Sequence, residues 1–375
     1  MPSTPSVTRS RKSGRVPAVA AALAVLASGT LLVTGATAMA GSAEQARPAD
    51  PTMNDSFASA AEEYDVPRDV LVSLGYSETH LDGHDGKPSQ ANGYGVMHLV
   101  SNPARHTLEK AAKLTGRPVA ELREDADANI RGGAAVLRAY ADRLGLEAAE
   151  RGDVDAWYPA VARYGGARGA TARLYADGVY AFLAKGVRGK TPDGERVSVR
   201  ARHIAPEASK VAKSALEAKS PDYPDAKWAA AHANNFAVGR KEKLNKIVIH
   251  VTQGSYAGSI SWFQNPDAQV SAHYVVRSKD GEVTQTVRDA DTAYHARSAN
   301  ASSLGIEHEG YVDDPSWFTD AMYRSSAKLT RHLADKHGIP LDRDHIIGHS
   351  EAPGNDHTDP GPNWDWDTYM KLVKG

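Results

Sequence analysis

This sequence predicts two domains of different class: an all-α half, then an α/β half whose central mixed β-sheet is flanked by helices. Three observations point there. The 375 residues exceed what one hydrophobic core usually organises. Between residues 55 and 185 apolar side chains recur at helical spacing with no alternating run. From about residue 246 onward, short β-branched runs interleave with an amphipathic stretch, the pattern of strands and helices sharing one sheet. A hydrophobic content of 41% with 24% charged residues excludes wholesale disorder and a fibrous class. The absence of cysteine excludes a disulfide scaffold, a Cys-ligated zinc finger and an iron–sulfur centre.

In chain order, residues 1–40 read as a secretory signal peptide. Arg9, Arg11, Lys12 and Arg15 precede an apolar, alanine-rich stretch, and Ala38-Met39-Ala40 has the small-x-small form of a cleavage site. An uncleaved amino-terminal anchor is the alternative, given the length of the apolar stretch. Its removal would leave 40 basic against 46 acidic residues, a net of −6, which argues against a nucleic-acid partner. Residues 41–54 are small, polar and proline-containing, a flexible leader. The helical domain is expected over 55–185. Pro67 sits in the first turn of a helix whose apolar stripe includes Leu71 and Leu74, and Glu78 continues that stripe. A second helix starts near Asp127, with Ile130, Ala134, Leu137, Ala141 and Leu144 on one face and Gly133 allowing close packing. A third helical stretch runs from about Asp155 to Leu183. Residues 186–220 are charged and read as a linker, with a solvated helix over 207–219.

The α/β domain is expected over 221–375. Strands are predicted at Lys246–Val251, Ala272–Val276, Glu282–Val287 after the Asp280-Gly281 turn, Leu304–His308 and His345–Ile347. A helix runs from the N-cap Thr319 to His337, and Gly338 and Pro340 stop it. Ten of the 15 histidines lie in this half. His250 ends one apolar strand and His349 follows another, with Asp359 ten residues further on in a Pro/Gly-rich loop. Two strand-end histidines and a carboxylate suit a catalytic Zn2+ site, which takes three protein ligands and leaves one position open. The alternative is a set of loop histidines that bind no metal.

The ordered set IVIHVTQGS, SAHYVV, YHA, SSLGIEHEGY, IIGHSEAPG and HTDPGPNWDW resembles the zinc-dependent N-acetylmuramoyl-L-alanine amidases, relatives of peptidoglycan-recognition proteins and phage endolysins, from about Tyr223 to Val373. The resemblance implies metal ligands at His250, His349 and Asp359, the carboxylate replacing the cysteine of several relatives. It implies hydrolysis of the amide between the muramic acid lactyl group and L-alanine, with Glu307 as catalytic acid–base. Glu307 and Glu309 share a strand face, so spacing alone does not choose between them; the resemblance selects Glu307. Where many relatives carry a tyrosine, this chain has Ala272; where many carry an oxyanion-binding lysine, it has His357, a second catalytic candidate. His273 and His295 also match family positions and are expected to be substrate-binding or to support the ligands. Trp364 and Trp366 fit core packing better than a sugar platform.

In the first half, VPRDVLVSLGYSETHL, NGYGVMHL and DADANIRGGAAVLRAY resemble lysozyme-like lytic transglycosylases, with Glu78 at that family's catalytic glutamate. Met97-His98 and Tyr164-Gly165 depart from the family's Met-Gln and Tyr-Asn. The expectation is a secreted, cell-wall-associated peptidoglycan hydrolase, a monomer with bacterial peptidoglycan as partner and with neither nucleic acid nor an integral membrane protein. The competing readings are a non-catalytic peptidoglycan binder and a transglycosylase or muramidase acting through Glu78.

Overall fold

A computed structural model describes residues 51–206 and 219–375. The expected signal peptide, most of the leader and all but the last residue of the expected 207–219 helix lie outside the described residues. Seven helices build the first half: α1 (Met53–Tyr64), α2 (Arg68–Thr79), α3 (Thr107–Thr115), α4 (Val119–Glu124), α5 (Ala126–Arg143), α6 (Tyr158–Tyr164) and α7 (Gly169–Lys185). Their ends follow local chemistry. The Thr52 hydroxyl accepts from the Asp55 amide at 3.2 Å, and Asp125 caps α5 by accepting from Ala128 N at 2.7 Å. Gly133 lies so close to Met97 that a Cβ there would stand 2.7 Å from that side chain. The third predicted helix is broken into α6 and α7 because Gly166 adopts φ +80°, which a helix cannot continue through.

This half is not purely helical. Gly93–Tyr94, Leu99–Asn102 and Arg105–His106 form a small antiparallel sheet. The expected linker opens with a hairpin, Val187–Lys190 against Arg196–Val199. Val187, Val197 and Val199 are its buried positions, an alternation that the surrounding charges obscure. The hairpin's Glu195 accepts the Met53 and Asn54 amides at 2.7 and 3.0 Å, so it supplies acceptors for the orphan donors at the start of α1.

The second half carries a six-stranded mixed sheet of β1 (Lys227–Trp228), β2 (Lys246–Val251), β3 (Tyr274–Val276), β4 (Val283–Gln285), β5 (Ser303–His308) and β6 (Ile346–Gly348), in the order β6-β2-β5-β3-β4-β1. The β6, β2, β5 and β3 neighbours are parallel and β3–β4 is antiparallel. Three helices join it: α8 (Tyr256–Phe263), α9 (Asp320–His337) and α10 (Trp366–Lys374). As predicted, Thr319 caps α9 and Gly338 ends it in the left-handed region.

The sheet's two faces have different duties. Ile247, Ile249, Leu304, Ile306 and Ile346 pack on Met322, Leu329 and Leu333 of α9 and on Tyr369 and Val373 of α10. Trp364 joins this core, ringed by His308, Tyr323 and Tyr369. The opposite face carries His250 and Glu307, which are directly paired across β2 and β5 and so project to the same side. Next to them, Val275 belongs to the core of the helical half, as do Tyr256, Ile260 and Phe263 of α8, which pack with Leu174, Tyr175 and Val179 of α7. One apolar core therefore runs from α1 across α8 to the sheet, and the described residues form one compact unit. Among the described residues no helix is long and apolar enough to cross a membrane.

Candidate active site

Three parallel strands deliver the site. The apolar residues of β2 bury it on both faces, and its penultimate residue is His250. β6 ends at Gly348, where a Cβ would meet Pro360 at 2.7 Å, and His349 follows at once. The loop after it returns Asp359 between the two imidazoles: Asp359 Oδ2 lies 3.3 Å from His250 Nδ1 and 3.2 Å from His349 Nδ1, with Oδ1 3.0 Å from the latter. All three side chains are buried, and their ligand atoms lie within 4.8 Å of one another. Burial pushes the Asp359 carboxyl up, but hydrogen bonds from His250 and His349 outweigh it and hold its pKa well below the usual carboxylate range. Burial lowers His250 to about 4 against the opposing pull of Asp359. An ionised carboxylate beside a neutral imidazole is the protonation state that metal ligation requires.

These residues fit a metal ion. Ligand arms of about 2.0–2.1 Å in a tetrahedron leave edges of roughly 3.3 Å, close to the separations found here between the two Nδ1 atoms and Asp359 Oδ2. The remaining nitrogen of His250 is engaged as well. Its Nε2 lies 2.9 Å from Nδ1 of His295, whose own Nε2 is 3.3 Å from Ser303 Oγ. Gly305 makes room for that ring, since a Cβ there would stand 2.6 Å from it. His295 thus orients His250, as partners behind metal-binding histidines do. His273 has no exposed surface: Nδ1 accepts from Gly305 N at 3.0 Å, and Nε2 is 3.2 Å from the Asp291 carbonyl. Arg240 Nη2 lies 2.7 Å from the same Nε2, so both ring nitrogens are engaged within the protein.

Glu307 sits on the same sheet face as His250 and is 3% exposed. Burial, and then the charge of Asp359, raise its pKa to about 8. One carboxylate oxygen accepts from Gln90 Nε2 at 3.3 Å; the other, Oε2, is buried with no hydrogen-bond partner. Glu309 is different: its two oxygens accept from Tyr256 N and Ser278 N, each at 2.8 Å, so both are committed to holding backbone. His357 stands at the mouth, half exposed. Its ring stacks on His349 at 4.3 Å, and its Nδ1 is 3.8 Å from Asp359. Burial and the neighbouring His349 lower its pKa.

The helical half's Glu78 is separate from this site and only 1% exposed. Tyr175 OH donates to one oxygen. Ser255 Oγ donates to the other at 2.9 Å, and His98 Nδ1 lies 3.3 Å from it. Ser255 comes from the turn into α8, so the α/β half itself covers this carboxylate. Sequence reasoning missed Ser255 and Gln90. Neither carries a motif, and each acquires its role only because the two halves pack together.

A family model described as N-acetylmuramoyl-L-alanine amidase matches residues 240–362. N-acetylmuramoyl-L-alanine amidase A of Achromobacter lyticus is 37% identical over 171 residues, 41% of this chain and 96% of that protein. The 1,6-anhydro-N-acetylmuramyl-L-alanine amidase AmpD of Salmonella typhimurium is 37% identical over 160 residues, 35% of this chain and 82% of its own. Of solved structures, a selenomethionine derivative of AmpD aligns with 42% of this chain and 99% of its own at 25% identity, with a TM-score of 0.36. His250, His349 and Asp359 all fall within the matched segment, and the chain belongs to the N-acetylmuramoyl-L-alanine amidase family.

Proposed function

We propose that this chain is a secreted, zinc-dependent amidase that cuts peptidoglycan between the muramic acid lactyl carbonyl and L-alanine. The observation that carries the reading is the buried His250–His349–Asp359 cluster with the unpaired oxygen of Glu307 on the same sheet face. His250, His349 and Asp359 would hold the ion; two nitrogens and one carboxylate are a zinc donor set that leaves a position open. Zinc, when bound, supplies Lewis acidity that polarises the scissile carbonyl and acidifies a water to a pKa of about 7. Glu307 takes the proton of the attacking water and returns it to the departing L-alanine nitrogen, a shuttle favoured when the carboxyl titrates near the working pH. His357, open to solvent beside the ligands, donates a hydrogen bond to the oxygen that becomes negative. The charged, then apolar, segment at 1–40 supports export to the cell wall. The helical half, whose motifs resemble the lysozyme-like fold, acts as a scaffold, and cleavage belongs to the α/β half.

The test follows amino groups released from purified peptidoglycan. Wild-type protein should release L-alanine amino termini, lose that activity on chelation and regain it with Zn2+. Glu307→Gln should lose roughly 10²–10⁴-fold in kcat while keeping its metal. Full activity after chelation, or in Glu307→Gln, would refute the mechanism.

A further inference from the structure

The two halves line a cleft of about 370 Å³ that takes no part in the proposed amide hydrolysis. Its walls come from both halves: Ala91, Asn102, Arg105 and Arg168 from the first, Trp262 and Gln264 from the second. Its lining residue Ala91 follows Gln90, the residue bonded to Glu307, so one loop of the helical half serves both the cleft and the active site.

The lining has a definite chemistry. It contains two arginines and no aspartate or glutamate. Among the described residues neither arginine has a carboxylate partner. Arg105 donates to the Tyr164 carbonyl and lies 5.7 Å from that ring, and Arg168 caps the start of α7 by position only, without a side-chain hydrogen bond there. Arg105 is also built in. Its stem crosses Gly166, where a Cβ would stand 2.7 Å from Arg105 Cδ, so the glycine is required both for its φ of +80° and for this crossing. Asn102 is spent on holding the loop, donating to the Ala91 carbonyl at 2.8 Å and accepting from Ala104 N and Arg105 N, whereas the two guanidinium groups, the Gln264 amide and the half-buried indole of Trp262 together present hydrogen-bond donors and one apolar face. That combination suits an amphipathic ligand bearing carboxylates.

We infer that this cleft is a subsite for a carboxylate-bearing stretch of the wall polymer adjoining the bond being cut. The inference rests on the amidase reading. Two carboxylate sources exist on that polymer: the acidic groups of a neighbouring stem peptide, and the lactyl carboxylates that amidase action itself uncovers. The second would let the enzyme hold glycan it has already stripped while cutting the next unit.

The experiment uses the whole chain with Arg168→Glu, an exposed position, and Arg105→Gln, with melting temperature as the check on folding. KM is measured on insoluble peptidoglycan and on a single disaccharide-peptide. For Arg168→Glu the ratio of the two KM values should rise about tenfold, which corresponds to ~1.4 kcal/mol, and the rise should shrink at high salt. Denuded glycan strands and free stem peptide are then tested as inhibitors of the wild type and the variant. Selective loss of inhibition by one of them assigns the source of the carboxylate and supports the subsite. A KM ratio within twofold of wild type in both folded variants would overturn the proposal. Wild type that releases no amino groups from either substrate would overturn the amidase reading instead; sedimentation with peptidoglycan, compared between wild type and Arg168→Glu, would still judge the cleft.

Discussion

Gln90, on a loop of the helical half, donates a 3.3 Å hydrogen bond to Glu307 at the end of β5, 217 residues later in the chain. The same loop is tied to the α/β half through Gln90 N, which donates to the Gln253 carbonyl, also at 3.3 Å. The first half thus reaches the carboxyl to which the proton transfer is assigned, and holds one of its oxygens while leaving the other free.

Removing that bond should be felt in turnover. Gln90→Leu is expected to lower kcat about tenfold, in line with ~1.5 kcal/mol for a hydrogen bond to a charged group, with metal content unchanged. Steady-state kinetics beside metal analysis would check this; an unaltered kcat would mean that Glu307 needs no such support.

Metal binding should stabilise the fold through the ligand cluster. Zn2+ at 100 times its Kd adds about 2.7 kcal/mol to a protein that binds it only when folded. Thermal melts of chelated wild type should therefore shift upward on adding Zn2+, and those of His349→Ala should not. Equal shifts in both proteins would place the ion elsewhere.

Asp289 should give the protein an acid-sensitive component of stability. Its buried carboxylate accepts from Tyr274 OH at 2.7 Å and from Lys336 Nζ and His337 Nε2 at 2.9 Å each. Burial raises its pKa, but these partners outweigh burial and depress it well below the ordinary value. A depressed folded pKa means stability that is fully present above the unfolded value of about 3.9 and is lost as pH falls below it toward the folded one. Asp289→Asn should cost roughly 2–4 kcal/mol at pH 7, and the gap from wild type should narrow below about pH 4. Denaturant melts of chelated protein at pH 7, 5 and 3.5 measure it; a gap that stays constant with pH would contradict the assignment.

Glu78 should matter to stability and not to glycan cleavage. Glu78→Leu leaves the hydroxyls of Tyr175 and Ser255 without an acceptor in the interior, a loss of about 2–4 kcal/mol. Wild type should produce no anhydro-muramic ends from peptidoglycan. Their appearance, and their loss in Glu78→Gln, would restore the transglycosylase reading.

Much of the α/β half was legible because its determinants are local. β2, β5 and β6 announce themselves as β-branched runs, and a histidine or glutamate near the end of such a run stands at the carboxyl edge of a parallel sheet. Thr319 and Gly338 mark the ends of α9 by capping chemistry alone. The ligand trio followed from strand-end placement and from the ordered motifs. What escaped has a different physical origin. α8 is too short and too uniformly apolar to show a helical face, and the hairpin at 187–199 hides three buried valines among arginines and lysines. Gln90 and Ser255 bond carboxylates that lie 217 and 177 residues away in the chain, a distance over which no periodicity speaks.

The apolar continuity between α7 and α8 bears on how such a chain can be taken apart. Tyr256, Ile260 and Phe263 would face water if the first half were removed, and each represents about 1.5–3 kcal/mol of lost burial. A gene fragment encoding only residues 221–375 would therefore yield a sticky, aggregation-prone product rather than a minimal enzyme. Anyone building chimeric lysins from this chain should move the two halves as one cassette, or repaint that helix with polar residues before separating them.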